Sequence, residues 1–395
     1  MEPNSHPISL AADLLEHARQ HYIYLHEHPE LSFEEDLTSA YIREVLQQLQ
    51  ISHTEIGRTG LIGFLPGKDT SRTVALRADI DALPIQESKN HPYVSGIPGK
   101  MHACGHDLHT AILLGAAEYL VQQVLPFNLM LIFQPGEEVL PGGAQAVLQQ
   151  AFFQAHQPEW IIALHAEPEL PVGQLGLCPG QYMASGDEIY ITLRGPGGHA
   201  ALPDQSVDLI VIASHIVIAL QQIASRQASP FTPTVLTFGN IRCNSVMNVI
   251  PREIRLEGTF RTFNESWRSK AKKQIRQMAT AMAESMGAHP EINIVEGYPC
   301  LYNNPEKVQE TLHILRQEFG EEAIIRLGQR MTTEDFARYS QIIPATFLRL
   351  GVKDHSHAIG KLHTPDFFPH PEALAIGIRT FCSLILNHAP SCQNS

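Results

Sequence analysis

The hydrophobic residues of this chain fall in short runs that alternate with longer, partly polar segments. Apolar runs rich in β-forming residues lie at residues 73–80, 128–133 and 160–164, and residues 106–123 are predicted to form a helix between the first two. Short, continuous apolar runs are typical of strands buried on both faces. Strands that alternate with helices favour a parallel sheet. We therefore predict an α/β fold with a mostly parallel sheet.

A helix start is predicted at residues 32–35, which read Ser-Phe-Glu-Glu. In a capping box, Ser32 would accept a hydrogen bond from the amide three residues later, and Glu35 would reach back to the amide of Ser32. This pattern predicts a helix that continues to about Leu49.

The residues after Gly180 follow a different order. Strand, helix, strand, strand, helix and strand are predicted in turn at residues 187–194, 204–226, 234–243, 252–263, 265–287 and 291–298. This β-α-β-β-α-β order is that of a ferredoxin-like domain. We therefore predict an inserted domain at residues 184–297. The main domain would comprise residues 1–183 and 298–395, ending with a helix at 305–319, a strand at 346–350 and a helix at 371–387.

Length and composition narrow the class of protein. At 395 residues the chain exceeds what one hydrophobic core usually serves, so two domains are expected. The formal net charge of -13 argues against nucleic-acid binding, which needs a basic face. We find no stretch of eighteen apolar residues that would span a membrane, and residues 1–9 lack the features of a signal peptide. The six widely spaced cysteines favour free thiols, which predicts a cytoplasmic location.

Residue types that bind metals concentrate in three segments. Residues 101–110 read Met-His-Ala-Cys-Gly-His-Asp-Leu-His-Thr, and carboxylates lie in Ala-Asp-Ile-Asp at 78–81 and Gln-Pro-Gly-Glu-Glu at 134–138. Five candidates fall at or just beyond the C-terminal ends of predicted strands, where open α/β sheets form ligand crevices: Asp79, Asp81, Glu137, Glu138 and His165. More than four such donors exceed the need of one closed structural site. The pattern indicates a divalent-metal hydrolase.

Eight separated motifs run through nearly the whole chain. They are His-Glu-His-Pro-Glu-Leu-Ser at 26–32, Leu-Arg-Ala-Asp-Ile-Asp-Ala-Leu-Pro at 76–84, residues 101–110, residues 134–138, Gly-Gly-His-Ala at 197–200, Asn-Val-Ile-Pro at 248–251, Gly-Thr-Phe-Arg at 258–261 and Leu-His-Thr-Pro at 362–365. Together they resemble the amidohydrolase branch of metallopeptidase family M20, which holds hippurate hydrolases, bacterial N-acyl-amino-acid amidohydrolases and plant auxin-conjugate hydrolases. Gly136 and Thr333 depart from the family pattern, where Ala and Ser are usual.

The resemblance implies a dinuclear metal centre with five ligands: Cys104, His106, Glu138, His165 and His363. Cys104 takes the place where the wider group has a bridging Asp. The implied pairing puts His106 with His165 on one ion and Glu138 with His363 on the other. Two ions about 3.5 to 4 Å apart supply a nucleophile and a counter-charge for amide hydrolysis. Because the thiolate favours thiophilic or tolerant ions, manganese or zinc is predicted, with cobalt and nickel as alternatives.

Other residues near these ligands receive predicted roles. Glu137 is the candidate general base, which would pass a proton to the leaving amine. Asp81 is predicted to orient an imidazole ligand or to tune Glu137. Asp79 stands where other branches of the family carry a ligand histidine. His109 is interpreted as an ordinary helix-face residue and is left out of the site.

The resemblance also assigns functions to the inserted domain, as a dimerisation or lid domain. His199 would reach the active site of the partner in a dimer and stabilise the oxyanion. Asn248 would assist substrate binding, and Arg261 would contact a substrate carboxylate, although a salt bridge within the strand is the simpler interpretation of that arginine. A homodimer or a dimer-based tetramer is therefore expected.

The predicted reaction is metal-dependent hydrolysis of the amide bond of an N-acyl amino acid, of the hippurate type or with an acetyl or aryl acyl group. The products would be a carboxylic acid and a free amino acid. A metallo-dipeptidase or carboxypeptidase of the same group is an alternative. Two further alternatives are a metal-free thiol amidase, with Cys104 activated by His106, and a non-catalytic dimeric binding protein.

Overall fold

The computed structural model describes residues 7–89, 91–353 and 360–388. Its helices are α1 (Ala12–Glu27), α2 (Asp36–Gln48), α3 (His106–Leu120), α4 (Gly143–Gln149), α5 (Ala151–Ala155), α6 (Leu209–Gln222), α7 (Glu265–Ser285), α8 (Pro305–Phe319), α9 (Ala337–Ser340) and α10 (Ala373–Leu386). Its strands are β1 (Ser52–Ile56), β2 (Gly60–Leu65), β3 (Asp69–Asp79), β4 (Phe127–Gln134), β5 (Trp160–Pro171), β6 (Leu175–Leu177), β7 (Gly180–Met183), β8 (Ser185–Arg194), β9 (Gly198–His199), β10 (Thr234–Arg242), β11 (Val249–Ile250), β12 (Glu253–Thr262), β13 (His289–Glu296), β14 (Leu301–Asn303), β15 (Ile324–Arg326) and β16 (Ala345–Lys353).

The described chain divides into two compact units. The first comprises Met1–Gly180, Tyr302–Gly328 and Arg338–Ser395, and the second comprises Gln181–Leu301 and Gln329–Ala337. Residues 329–337 thus group with the second unit, although they lie well after the predicted insertion at 184–297. That the insertion is a separate folding domain stays a prediction.

The first unit is built on an eight-stranded sheet with the strand order β1-β2-β4-β3-β5-β16-β6-β15. The four central strands, β4, β3, β5 and β16, run parallel, while β1, β2 and β6 pair antiparallel to their inner neighbours. All eight residues of β4 are buried, which fits a strand covered on both faces. The predicted α/β class with a mostly parallel sheet is confirmed.

Helix α3 is the central helix of the first unit. Nearly all of its residues are buried, and α1 and α10 pack against it. Two glycines permit this packing: a Cβ on Gly115 would lie 2.6 Å from Ile378 Cδ1, and one on Gly377 would lie 2.3 Å from Ile112 Cδ1. Because α3 begins at His106, its tight packing fixes where that histidine sits.

The predicted capping box is wrong. Helix α2 begins only at Asp36, and its N-cap residue Glu35 makes no side-chain capping hydrogen bond. Ser32 instead donates its hydroxyl to Asp81, and Glu35 accepts hydrogen bonds from Thr59 and from the backbone of Gly136. Both side chains that the local pattern predicts at the helix end therefore bond to residues that are distant in sequence.

The second unit contains a four-stranded antiparallel sheet with the order β10-β12-β8-β13, and α6 and α7 pack on it. Along the chain these elements follow the order β8-α6-β10-β12-α7-β13. This is the β-α-β-β-α-β order expected of a ferredoxin-like fold.

One helical stretch, Leu209–Gln227, is long and apolar enough to cross a membrane by length and composition, contrary to the expectation of no such stretch. It consists of α6 and a π-helical turn at Ile223–Gln227. Its residues Leu209, Ile212, Ile216 and Leu220 are buried in the core of the second unit. Core helices of globular units commonly have this composition.

Candidate metal centre

The turn that precedes α3 places a thiol and an imidazole beside β5. Gly105 adopts the left-handed conformation with φ 86°, and a Cβ there would lie 3.0 Å from Ala166 Cβ. Glycine therefore permits both the turn and the close approach to β5. Cys104 lies just before this turn and His106 just after it, and both are buried.

Cys104 lies between two of the predicted ligand histidines. Its Sγ atom is 3.4 Å from His165 Nε2 and 3.3 Å from His363 Nε2. His363 Nε2 is also 3.3 Å from Glu138 Oε1. The donor atoms of two groups therefore lie within 4.8 Å of one another: Cys104, His106 and His165 form the first, and Cys104, Glu138 and His363 the second. The fold thus brings together all five predicted ligands, and their role as ligands stays a prediction.

Although His363 Nε2 approaches Glu138 Oε1, two buried atoms of this cluster form no hydrogen bond among the described residues, namely His106 Nε2 and Glu138 Oε1. They are 3.9 Å apart. Because a buried polar atom without a partner is costly, such atoms call for a ligand or water. Thiolate, imidazole and carboxylate donors at these separations fit divalent transition-metal ions.

Hydrogen bonds orient both imidazoles of the first group. His106 Nδ1 lies 2.9 Å from the backbone oxygen of Asp81 and 3.2 Å from its Oδ1, while His165 Nδ1 lies 2.8 Å from the backbone oxygen of Ala166. An acceptor facing Nδ1 places the proton on Nδ1. In the neutral imidazole, the form that a metal ligand requires, the lone pair of Nε2 is then directed to the cluster in both residues.

The carboxylate of Asp81 joins three segments of the site. Besides facing His106, it accepts a hydrogen bond of 2.6 Å from Ser32 Oγ and one of 3.0 Å from the backbone N–H of Glu138. Burial by itself raises the pKa of Asp81, but these partners outweigh burial and hold the pKa below its ordinary value. Asp81 is therefore ionised and sits where the predicted orienting role requires it.

Electrostatics distinguish the Cys104 thiol from the His106 imidazole. Burial, followed by the nearby carboxylates of Glu138 and Glu137, raises the pKa of the Cys104 thiol well above its ordinary value. Burial lowers the pKa of His106, but the carboxylates of Asp79 and Asp81 outweigh it and raise the pKa to about 10. Because nucleophilic cysteines have depressed pKa values, this environment disfavours a metal-free thiol amidase.

Glu137 is buried beside Glu138 at the end of β4. Candidate donor atoms of His106, Glu137 and Glu138 all lie within 4.8 Å of one another, so Glu137 faces the same cluster. Its position is set by Gly136, which has φ 61° and whose Cβ, if present, would meet the Phe33 ring at 2.4 Å. The Phe33 ring therefore occupies the space that a larger residue at Gly136, where the family usually has Ala, would need.

The comparisons with known proteins agree with this geometry. Residues 75–387 match the model of Peptidase family M20/M25/M40. The chain belongs to peptidase family M20. It is 36% identical to an N-acetyldiaminopimelate deacetylase of Oceanobacillus iheyensis, over 91% of this chain and 96% of the relative. It is also 36% identical to an N-acetylcysteine deacetylase of Bacillus subtilis, over 91% of this chain and 93% of the relative.

A solved structure is similar over nearly the whole length of this M20 chain. It is a dinuclear metal-binding peptidase of the M20 family from Bacillus subtilis, with a TM-score of 0.82 and 32% identity, covering 96% of this chain and 99% of that one. This M20 chain is accordingly a metal-dependent amidohydrolase, as predicted from its motifs.

Asp79 is not part of the two ligand groups formed around Cys104, although it stands where other branches have a ligand histidine. Its carboxylate accepts hydrogen bonds of 2.5 Å from Arg77 and 2.6 Å from His109. Burial raises the pKa of Asp79, but His106, Arg77 and His109 outweigh it and hold the pKa well below its ordinary value. His109 is thus a buried residue that bonds to Asp79 beside the predicted ligand His106. The interpretation of His109 as an ordinary helix-face residue is wrong. Its spacing of three residues from His106, on the same helix face, was the available signal.

A second buried network lies at the N-terminal end of α3 and was also missed from the sequence. His26 Nδ1 lies 2.7 Å from Asp107 Oδ2, and His26 Nε2 lies 2.9 Å from Glu87 Oε1. Burial lowers the pKa of His26, but the hydrogen bonds to Asp107 and Glu87 outweigh burial and raise the pKa to about 9. The imidazolium therefore joins α1 and α3 to the segment that carries Glu87.

The remaining predicted site residues lie in the second unit. His199 and Asn248 are both exposed and adjacent, since β9 pairs with β11 and the backbone N–H of Ala200 donates to the backbone oxygen of Asn248 at 3.0 Å. Arg261 is half-buried on β12 and donates to the backbone oxygen of Met331 at 2.6 Å. It forms no ion pair among the described residues, so the simpler salt-bridge interpretation of Arg261 finds no support.

Proposed function

We propose that this M20 amidohydrolase removes the acyl group of an N-acyl amino acid and releases a carboxylic acid and the free amino acid. The observation that carries the proposal is the cluster of Cys104, His106, Glu138, His165 and His363 with the buried carboxylate of Glu137 beside it. The two deacetylase relatives act, by their names, on N-acetyl amino acids, which supports the same substrate class here.

We propose that the cluster holds two divalent ions, manganese or zinc, with cobalt or nickel as alternatives. Cys104 would be shared, His106 and His165 would complete one ion, and Glu138 and His363 the other. The two ions would polarise the amide carbonyl and make a water molecule a stronger nucleophile at neutral pH. The assignment is supported by His106 Nε2 and Glu138 Oε1, two buried atoms that form no hydrogen bond within the part of the chain that the structure describes.

The side chains around the cluster would carry the proton transfers and the orientation. Glu137 would take the proton from the attacking water and deliver it to the nitrogen of the leaving amino acid. Asp81 would keep His106 in the orientation that it has in the structure. Arg261 would bind the carboxylate of the amino acid, which is supported by its lack of an ion pair among the described residues.

The acyl group is proposed to be small, of the acetyl type. The test is a turnover screen of metal-loaded protein with N-acetyldiaminopimelate, N-acetylcysteine, other N-acetyl amino acids, hippurate and dipeptides. We expect kcat/KM for at least one N-acetyl amino acid to exceed that for the matching dipeptide by at least about tenfold, a difference of about 1.4 kcal/mol. A preference for dipeptides would identify a peptidase instead, and no turnover of any compound would favour a binding protein.

We further propose a homodimer, or a tetramer built from it, formed through the second unit. Helix α6 exposes Ile210, Val211 and Ile218, with exposed fractions of 50%, 44% and 70%. Strand β10 lies at the edge of its sheet. Exposed apolar residues beside a free sheet edge are typical of an interface. Sedimentation analysis tests this: Ile218→Asp should shift the protein toward monomer.

A cytoplasmic location is proposed as well. Five cysteines lie among the residues that the structure describes, and each is a thiol outside any disulfide: Cys104, Cys178, Cys243, Cys300 and Cys382. Cys392 lies outside the described residues. Free thiols are typical of a reducing compartment. Cell fractionation of the native host tests the location directly.

A further inference from the structure

The peptide groups around Ala166 lie beyond the end of the pairing between β3 and β5, next to the predicted ligand His165. Pairing of β5 with β3 ends at Ala163 and Arg77. Beyond that point none of the described strands pairs with β5 on the β3 side, so the buried backbone groups there need other partners. The backbone N–H of Ala166 donates to His109 Nε2 at 2.8 Å. His109 therefore replaces a strand as the partner of β5.

These contacts determine the position of the proton on His109. A backbone N–H can only donate, so His109 Nε2 must accept and the ring proton must lie on Nδ1. That nitrogen faces Asp79 Oδ1 at 2.6 Å, and Arg77 donates to Asp79 Oδ2 at 2.5 Å. The hydroxyl of Thr110 also donates to the backbone oxygen of Asp79 at 2.9 Å. The imidazole is thus held on both sides by buried partners.

The same residue that His109 binds also orients a predicted metal ligand. Ala166 donates its N–H to His109, and its backbone oxygen lies 2.8 Å from His165 Nδ1. That contact leaves His165 Nε2 as a free lone pair facing Cys104 Sγ at 3.4 Å. If Ala166 rotated, the carbonyl would lose this position, and His165 could protonate Nε2 instead.

We propose that His109 is a positioning residue, which pins Ala166 so that the Ala166 carbonyl holds His165 in the tautomer and orientation needed to bind metal. Asp79 and Arg77 in turn hold His109. This explains why Asp79, at a place where other branches carry a ligand, is engaged by Arg77 and His109. The inference rests on the proposed ligand role of His165, and it is independent of the substrate.

The first measurement is metal affinity. Metal-free protein is titrated with Mn²⁺ or Zn²⁺ alone against a chromophoric chelator, for the wild type, His109→Phe and His109→Gln. We expect His109→Phe to weaken one binding step by about 10-fold to 100-fold and to leave the other nearly unchanged. His109→Gln should recover part of the loss, because its amide oxygen can accept from the Ala166 N–H. Loss of equal size at both steps, or at neither, would overturn the proposal.

The second measurement reads the tautomer without any metal. Ring ¹⁵N shifts of His165, assigned with His165→Asn, should report a proton on Nδ1 in the wild type and a shift toward Nε2 in His109→Phe. An unchanged tautomer in a folded variant contradicts the proposal. If His109→Phe does not fold, His109→Gln carries both measurements, with a smaller expected change at the same binding step.

Two controls separate the possible failures. Thr346→Val removes another buried hydrogen bond of the same sheet, from Trp160 Nε1 to Thr346 Oγ1 at 3.0 Å, and should leave both metal affinities unchanged. His165→Ala should abolish the binding step that His109→Phe weakens. If His165→Ala retains both ions, the ligand assignment fails. If it loses one ion while the His109 variants lose nothing, only the positioning role fails.

Discussion

The carboxylate of Glu35 accepts a hydrogen bond of 2.9 Å from the backbone N–H of Gly136, the residue before Glu137. Its other oxygen lies 2.6 Å from the hydroxyl of Thr59. Burial raises the pKa of Glu35 to about 7, although the Thr59 contact lowers it. A titratable buried group thus supports the backbone that carries the predicted general base.

This relationship predicts a pH-dependent stability difference. Because the folded pKa of about 7 lies above the ordinary value of 4.5, Glu35 holds a proton in the folded protein that it loses in the unfolded chain, and its contribution to stability falls as pH rises from about 4.5 to about 7. Glu35→Gln keeps both hydrogen bonds without titrating, so it should gain up to about 3 kcal/mol relative to wild type across that range. Denaturant unfolding of metal-free protein measures the gain. Glu34→Gln, an exposed neighbour, is the control and should show no such trend.

A second stability prediction concerns His26. Its folded pKa of about 9 lies above the ordinary value of 6.5, so its contribution is complete below about pH 6.5 and is lost as pH rises through 9. His26→Gln should therefore cost up to about 3 kcal/mol below pH 6.5 and progressively less above it. His17→Gln is the matched control on the same helix. The hydrogen bond to Glu118 also raises the pKa of His17, but this pair is at the surface, so the control should show a much weaker pH trend. A loss for His26→Gln that does not change with pH would contradict the assignment of an imidazolium.

Glu137→Gln tests the general base. The substitution keeps the size of the side chain but removes the proton acceptor, so kcat should fall by about 10²-fold to 10⁴-fold while the metal content stays intact. Steady-state kinetics with metal analysis of the same sample measure both quantities. Glu138→Gln is the contrast and should lose metal. If Glu137→Gln loses metal instead, Glu137 is a ligand and the roles of the two glutamates must be revised.

Cys104→Ser tests the shared ligand. Sγ lies between His165 and His363, so loss of the thiolate should weaken binding of both ions together. His363→Ala should weaken mainly one. Equilibrium dialysis with metal analysis distinguishes these outcomes. Retention of two ions per chain by Cys104→Ser would rule out the bridging role.

A mixed dimer tests the role of His199 across the interface. The two variants Glu137→Ala and His199→Ala should each be nearly inactive. A dimer of one chain of each kind has one complete site, because the His199→Ala chain keeps its own Glu137 and borrows His199 from the other. Refolding the two variants together should recover up to about a quarter of wild-type activity, if chains pair at random. No recovery in a proven mixed dimer would mean that His199 serves its own subunit or no site.

The sequence by itself determined the chemistry and the order of the elements. The apolar runs predicted β3, β4 and β5. For β3 and β4 the carboxyl end lies where the apolar run stops, so the donors there could be identified from the sequence. Strand β5 was predicted to end at residue 164 but continues to Pro171, so His165 lies within that strand and not just beyond it. The segment around Cys104 carried enough thiol, imidazole and carboxylate groups to indicate a metal hydrolase. These are local properties, set by the period of the pattern and by the donor types.

Only the tertiary structure decided which partner each polar side chain takes. Ser32 and Glu35 fit a local capping box. In the structure Ser32 instead donates to Asp81, 49 residues away, and Glu35 accepts from the backbone of Gly136, 101 residues away. From the sequence, His109 looks like an ordinary helix residue. In the structure, pairing of β5 with β3 has ended before Ala166, and the backbone N–H of Ala166 donates to His109 instead. Most buried donors and acceptors in folded proteins are paired, and which of several distant partners pairs with a given side chain is decided only when the packed chain brings them within about 3 Å.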